Sequence, residues 1–210
     1  MAFGFLDIAR TPSVRAAEAA SGSAQYFDDF KGDRASDRFT EAEAQFIAER
    51  DSFYVASVSE TGWPYVQHRG GPRGFLKLID DKTLAFADYR GNRQYITLGN
   101  ATANDRVALF LMDYPNRRRL KIYAHIEERP LDPQSDLAKA VLDPGYKAKP
   151  ERAFLLHLDA FDWNCPQHIT PRYTDGEIEA ALEPMVARQK QLEEENAALK
   201  ARLQGEGKDP

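Results

Sequence analysis

A single cysteine, Cys165, excludes an internal disulfide and suits a reducing compartment. No segment approaches the roughly eighteen continuous apolar residues of a membrane span, so no membrane helix is expected. The opening MAFGFLDIARTP lacks a basic leading segment and carries Asp7 inside its short apolar stretch. That pattern is not a signal peptide, and the expected location is cytoplasmic. Positive charge is not in excess: Asp and Glu number 33 against 28 Lys and Arg, a formal net charge of -5. General nucleic-acid binding is therefore not expected. No GxGxxG or GxxxxGK[ST] string occurs, so the two common phosphate-cradling glycine loops are missing. Histidine is scarce as well. Cys165 and His168 alone have a ligand-like spacing, with His68, His125 and His157 on separate segments. A zinc site needs three or four ligands, and no metal site is expected. Nothing places a base beside Cys165, so no catalytic residue can be named.

What remains is a globular composition, 42% hydrophobic and 11% aromatic. The chain divides into an N-terminal extension (1–38), a main domain (39–176), a helical segment (177–204) and a disordered tail (205–210). The extension has one helix-prone stretch, Val14 to Ala20. Thr40-Glu41-Ala42-Glu43 has capping-box spacing, which predicts a helix from about 41 to 50. Six strand-like runs follow: 53–59, 64–68, 75–79, 83–88, 107–112 and 120–126. Asp80-Asp81-Lys82 suits a hairpin between the third and fourth. Asn92 is expected to cap a short helix ending at Gly99. Residues 134–142 read as a helix and Ala153–Asp159 as one more strand. Closely spaced strands with one short helix between them predict an antiparallel barrel or sandwich, mainly β with peripheral helices.

The chemistry concentrates between Gly62 and Gly99. Arg69-Gly70-Gly71-Pro72-Arg73-Gly74 is a basic, glycine-rich link, where glycines admit close approach of a flat ligand and arginines hold an anion. Arg90-Gly91-Asn92-Arg93-Gln94 sets a second cationic segment at an expected helix start, a favourable place for phosphate. Together they describe a site for a phosphorylated ring compound. The alternative is that these are solvated loop arginines and ordinary turn glycines.

Over about Phe46 to Glu127 the chain resembles the pyridoxamine 5'-phosphate oxidase-like FMN-binding split barrels. The resemblance rests on Gly62 and Pro64 in a first hairpin, a strand with Lys77, and Phe86-Ala87-Asp88 ending another. Gly91-Asn92-Arg93-Gln94 opening a helix and Asn104-Asp105-Arg106-Val107 before the next strand complete it. It implies a six-stranded antiparallel split barrel, a homodimer, FMN as cofactor and oxidoreductase chemistry. The implied cofactor residues are Arg69, Phe75, Leu76, Lys77, Ala87, Asp88, Asn92, Arg93 and Gln94. Arg119 is implied for the partner subunit's cofactor, and Trp163 for the flavin side. Gln94 stands where the family usually has lysine, and Arg69, Arg73 or Arg90 is expected to compensate. The stretch Asp162 to Arg172 lacks the spacing of the oxidase's arginine–histidine substrate clamp, so vitamin B6 phosphate is not the expected substrate. A non-catalytic flavin- or haem-binding role is the other function such barrels imply.

The segment from 177 onward shows apolar residues at alternating spacings of three and four. Leu182, Gln189, Asn196 and Leu203 take a positions and Met185, Leu192 and Leu199 take d. A short parallel coiled coil is the expectation, and a lone amphipathic helix or a frayed tail the alternative.

Overall fold

The computed structural model describes residues 4–28, 36–163 and 166–206. Cys165 lies outside them. Two units divide the chain, Met1–Ile169 and Thr170–Pro210.

In the first unit the described residues ahead of the barrel form the short helices α1 (Phe5–Ala9), α2 (Pro12–Ala20) and α3 (Gln25–Asp28). Thr11 caps α2 through its hydroxyl, and Pro12 occupies the first turn, where its missing N–H costs nothing. Helix α4 (Glu41–Ala48) starts at the expected box: the Thr40 amide donates to Glu43 Oε2 at 2.9 Å, and Thr40 Oγ1 accepts from the Ala42 amide at 3.3 Å.

Seven strands follow among the described residues, the six strand-like runs and the one more read after them. They are β1 (Ser52–Val58), β2 (Pro64–Gly70), β3 (Lys77–Asp80), β4 (Thr83–Tyr89), β5 (Arg106–Asp113), β6 (Arg118–Arg129) and β7 (Pro150–Trp163). The seventh grows from the run read as Ala153–Asp159. It is a full member of the sheet because its apolar residues pair on both sides, with β6 and with β4. All pairings are antiparallel, in the order β2-β1-β5-β6-β7-β4-β3.

The ends of that order meet, and the sheet is rolled into the split barrel. Arg69 on β2 bonds Asp88 on β4, and the Phe53 ring of β1 lies 5.6 Å from Phe75 and 5.3 Å from Phe86. Inward positions alternate along β5, where Val107, Leu109 and Leu111 are buried, and along β6, where Leu120, Ile122, Ala124 and Ile126 are buried. Strand β4 is buried on both faces because Ala85 and Ala87 pack outward beneath Val141 of helix α6 (Asp136–Val141).

Glu43 ties α4 to the last residue of β7: its Oε1 accepts from Trp163 Nε1 at 2.7 Å while Oε2 serves the cap. Burial works against its charge, yet the bonds from Thr40 and Trp163 outweigh it and hold the carboxyl below its usual range. Glu43→Ala is expected to cost about 2–4 kcal/mol, a cap plus an indole donor left unpaired. A depressed carboxylate stabilises the fold above its unfolded value near 4.5 and loses that contribution as pH falls through the lower folded value. The gap between wild type and variant, read by urea denaturation, should therefore shrink below about pH 4.5.

In the second unit, helix α7 (Asp175–Glu206) runs for 32 residues with Pro184 inside it. Thr174 caps its start, exchanging bonds with Glu177.

Candidate functional site

A polar cleft of about 170 Å³ opens where β2 and β4 close the barrel, lined by Gln67, Arg69, Asp88, Tyr89, Gly91, Asn92, Arg93, Tyr95, Leu98 and Glu151. Four residues expected from the sequence meet there: Arg69, Asp88, Asn92 and Arg93. Arg69 Nη1 donates to Asp88 Oδ1 at 2.5 Å, with both side chains largely buried. Its Nε is buried without a hydrogen-bond partner, a donor with capacity to spare. Asp88 is also 3.8 Å from Arg152 Nε. Burial pushes the Asp88 carboxyl above its usual range, and the cations Arg69 and Arg152 offset this only in part.

The segment 92–95 differs from the expected helix cap. Asn92 Oδ1 accepts from the Gln94 amide at 3.1 Å, a local turn, and helix α5 (Ile96–Ala103) starts only after Tyr95. Gly99 lies inside α5 rather than ending it. Short polar side chains compete in this way with helix continuation. Arg93 and Tyr95 both have left-handed backbone, φ 61° and 52°, a strain of about 1–3 kcal/mol each that surrounding contacts must hold. For Tyr95 those contacts are visible. Its hydroxyl donates to Glu151 Oε2 at 3.1 Å, and its ring lies 5.0 Å from the Arg152 guanidinium. No side chain caps α5, and its N-cap residue Tyr95 lines the cleft.

Of the three cations expected to compensate for Gln94, Arg90 already has a carboxylate partner. Its Nε is bonded to Glu151 Oε1 at 2.7 Å, which holds the Glu151 carboxyl below its usual range. Arg93 is exposed and has no ion-pair partner among the described residues.

The glycines of the basic link serve the fold first. A Cβ on Gly71 would stand 2.7 Å from the Phe75 ring, and Gly74 has φ +74° with the Ala48 carbonyl 2.9 Å from its would-be Cβ. Internal packing and backbone geometry by themselves account for glycine at those two positions.

The other expected residues are spread. Phe75 and Leu76 bury their side chains in the core, so only their main chain is available to a ligand. Ala87 faces outward under α6. Lys77 is the half-buried first residue of β3, opposite Ala85. Gln94 is exposed beside Asn92. Arg119 lies over the Phe110 ring at 4.9 Å, its Nε buried and unpartnered. Trp163 sits at the far end of β7 from Arg152, edge-on to Phe46 and beneath Arg118. Neither Arg119 nor Trp163 lines this cleft. Among the described residues no group of three metal-ligating side chains occurs.

Glu151, Arg152, Tyr95 and Gln67 were not singled out in the sequence. Glu151 and Arg152 arrive through the β4–β7 register, which sets Arg152 opposite Asp88. The only signal for them is a charged pair heading an apolar run.

The family model of pyridoxamine 5'-phosphate oxidase matches residues 39–156. The chain belongs to that family. The matched stretch holds the whole cleft and stops before Trp163, so the family likeness covers the barrel and not the segment from 162 to 172. No curated protein matches. Solved structures similar to it include HupZ of Group A Streptococcus, at 14% identity over 64% of this chain and 100% of that one, with a TM-score of 0.46. An FMN-binding protein from Syntrophomonas wolfei has 13% identity over 73% and 95%, TM-score 0.44. A FAD-binding protein from Mesorhizobium loti has 15% over 60% and 94%, TM-score 0.42. These structural likenesses are too distant to bear on function.

Proposed function

We propose that this protein binds FMN in the Arg69–Arg93 cleft, as a cytoplasmic homodimer, and is a flavin-dependent oxidoreductase acting on a small substrate. The observation that carries the reading is the meeting, in a member of this family, of three anion-binding features at one cleft. These are Arg93, without an ion-pair partner among the described residues, the spare buried Nε of Arg69, and the uncapped start of α5. A phosphate fits that donor set.

FMN, when bound, supplies two-electron chemistry at its ring. The chain's part is to hold and orient it. Arg93 and Arg69 would take the phosphate, with Asn92 and Gln94 beside it, and Asp88 keeps Arg69 in place. The main chain of Phe75 and Leu76 and the ammonium of Lys77 are assigned to the ring. A cation there would offset negative charge on the reduced cofactor. At about 170 Å³ the cleft is smaller than the roughly 300–1,000 Å³ of most small-molecule sites. A second copy offering Arg119 and Trp163 would complete it, which suits the buried, unpartnered Arg119 Nε.

The test is an absorbance spectrum of the purified protein, mass analysis of the released cofactor, then anaerobic reduction with NADH and NADPH. A flavin spectrum with one FMN per chain is expected, and colourless protein that takes up no added FMN overturns the reading. Pyridoxamine 5'-phosphate is expected to turn over well below the roughly 1–10 per second of an ordinary enzyme. The substrate clamp is not recognisable in the sequence from 162 to 172, where His168 has left-handed backbone. Turnover at the ordinary rate would restore that substrate.

A further inference from the structure

Helix α7 leaves every described side chain exposed, Leu182, Met185, Leu192, Leu199 and Leu203 among them. Its 32 residues span about 48 Å. An isolated helix of this kind draws little stability from propensity alone and normally depends on burying an apolar face. Ile178 extends the seam by one d position, and of the large apolar side chains in α7 only Val186 falls outside a and d. A stripe that narrow fits a second helix better than a broad protein surface. Pro184 takes position c, and the carbonyl it leaves unbonded, on Ala180, takes f, so both lie away from the seam.

From this geometry we infer that α7 pairs in parallel and in register with α7 of a second copy. Charge at the flanking positions suits that arrangement. In a parallel pair Arg188 at g meets Glu193 at e of the other helix, and Glu195 at g meets Lys200 at e, each twice by symmetry. Asn196 selects the direction. In parallel register it meets its own copy and the two amides bond each other, whereas in the antiparallel overlay that keeps every layer from Ile178 to Leu203 it faces Met185. The occupant of the seam is therefore the same helix. The inference is independent of the flavin reading.

The test uses the full chain with Cys165→Ser as background. Asn196→Cys is compared with Ala201→Cys, an outward f position, by the rate of disulfide dimer formation in oxidised glutathione at low salt. The seam variant is expected to link at least tenfold faster. Adding Lys200→Glu should slow it several-fold, and Glu195→Lys together with Lys200→Glu should restore it. Equal rates at the two positions, or no link at 196, overturn the pairing, and indifference to Lys200→Glu overturns the parallel register. Flavin content of the same proteins is read separately, since its loss would speak to the barrel and not to α7.

Discussion

Arg93→Glu should purify largely without flavin. The substitution removes a charge-assisted bond to phosphate and sets a carboxylate in its place, for a loss on the order of 2–4 kcal/mol. That is about 30- to 800-fold in affinity, read by fluorescence titration of the stripped protein. Arg93 has no ion-pair partner to lose among the described residues, so apo stability should barely change. Arg93→Gly sharpens the test. Glycine accepts the left-handed backbone at φ 61°, so this variant should match or exceed wild-type stability while still losing affinity. Full flavin retention in Arg93→Glu would mean that the phosphate lies elsewhere.

Arg69→Met should be the most destabilising single change at the cleft. Arg69 and Asp88 join strands that are not neighbours in the sheet, and both side chains are largely buried, at 15% and 8% exposure. Removing the cation strands a buried carboxylate, at about 3–5 kcal/mol. The melting temperature should fall on the order of 10 °C in apo protein. The loss should depend on pH with a definite sign. Asp88 already has a raised folded value, and losing Arg69 raises it further. An acid raised by folding weakens the fold as pH climbs from its unfolded value near 3.8 through its folded one, so the deficit should widen as pH rises above that unfolded value. Arg69→Met with Asp88→Leu should recover most of the stability, because neither charge then remains stranded. A single-variant loss under about 1 kcal/mol would show that the phenylalanine contacts alone hold the seam.

The barrel was legible in the sequence because its strands alternate or run apolar at the length of a strand, and because Thr40 and Glu43 mark their helix by local chemistry. Arg69 and Arg93 were legible as cations in glycine-rich links. Their meeting was not, since it depends on a roll of the sheet that no local pattern encodes. The error at Asn92 came from two local uses of one side chain, a helix cap or a turn, which differ by a few residues of register. Gly71 and Gly74 carry a related ambiguity: a glycine signals crowding or left-handed backbone but not which neighbour imposes it. Glu151 acts at the cleft only because β7 lies beside β4.

The position of β7 also sets an order of events during synthesis. Of the strands described it is the last to leave the ribosome, yet it lies between β6 and β4. Until it arrives, the β3–β4 hairpin has no place in the sheet, and Leu84 and Phe86 have no wall formed by Phe154 and Leu156. The growing chain must carry an unpaired, apolar β4 through the making of some sixty further residues. Exposed edges of that kind invite wrong pairing with neighbouring chains. A chain cut before β7 should therefore aggregate rather than fold, even though it contains Arg69, Asp88 and Arg93.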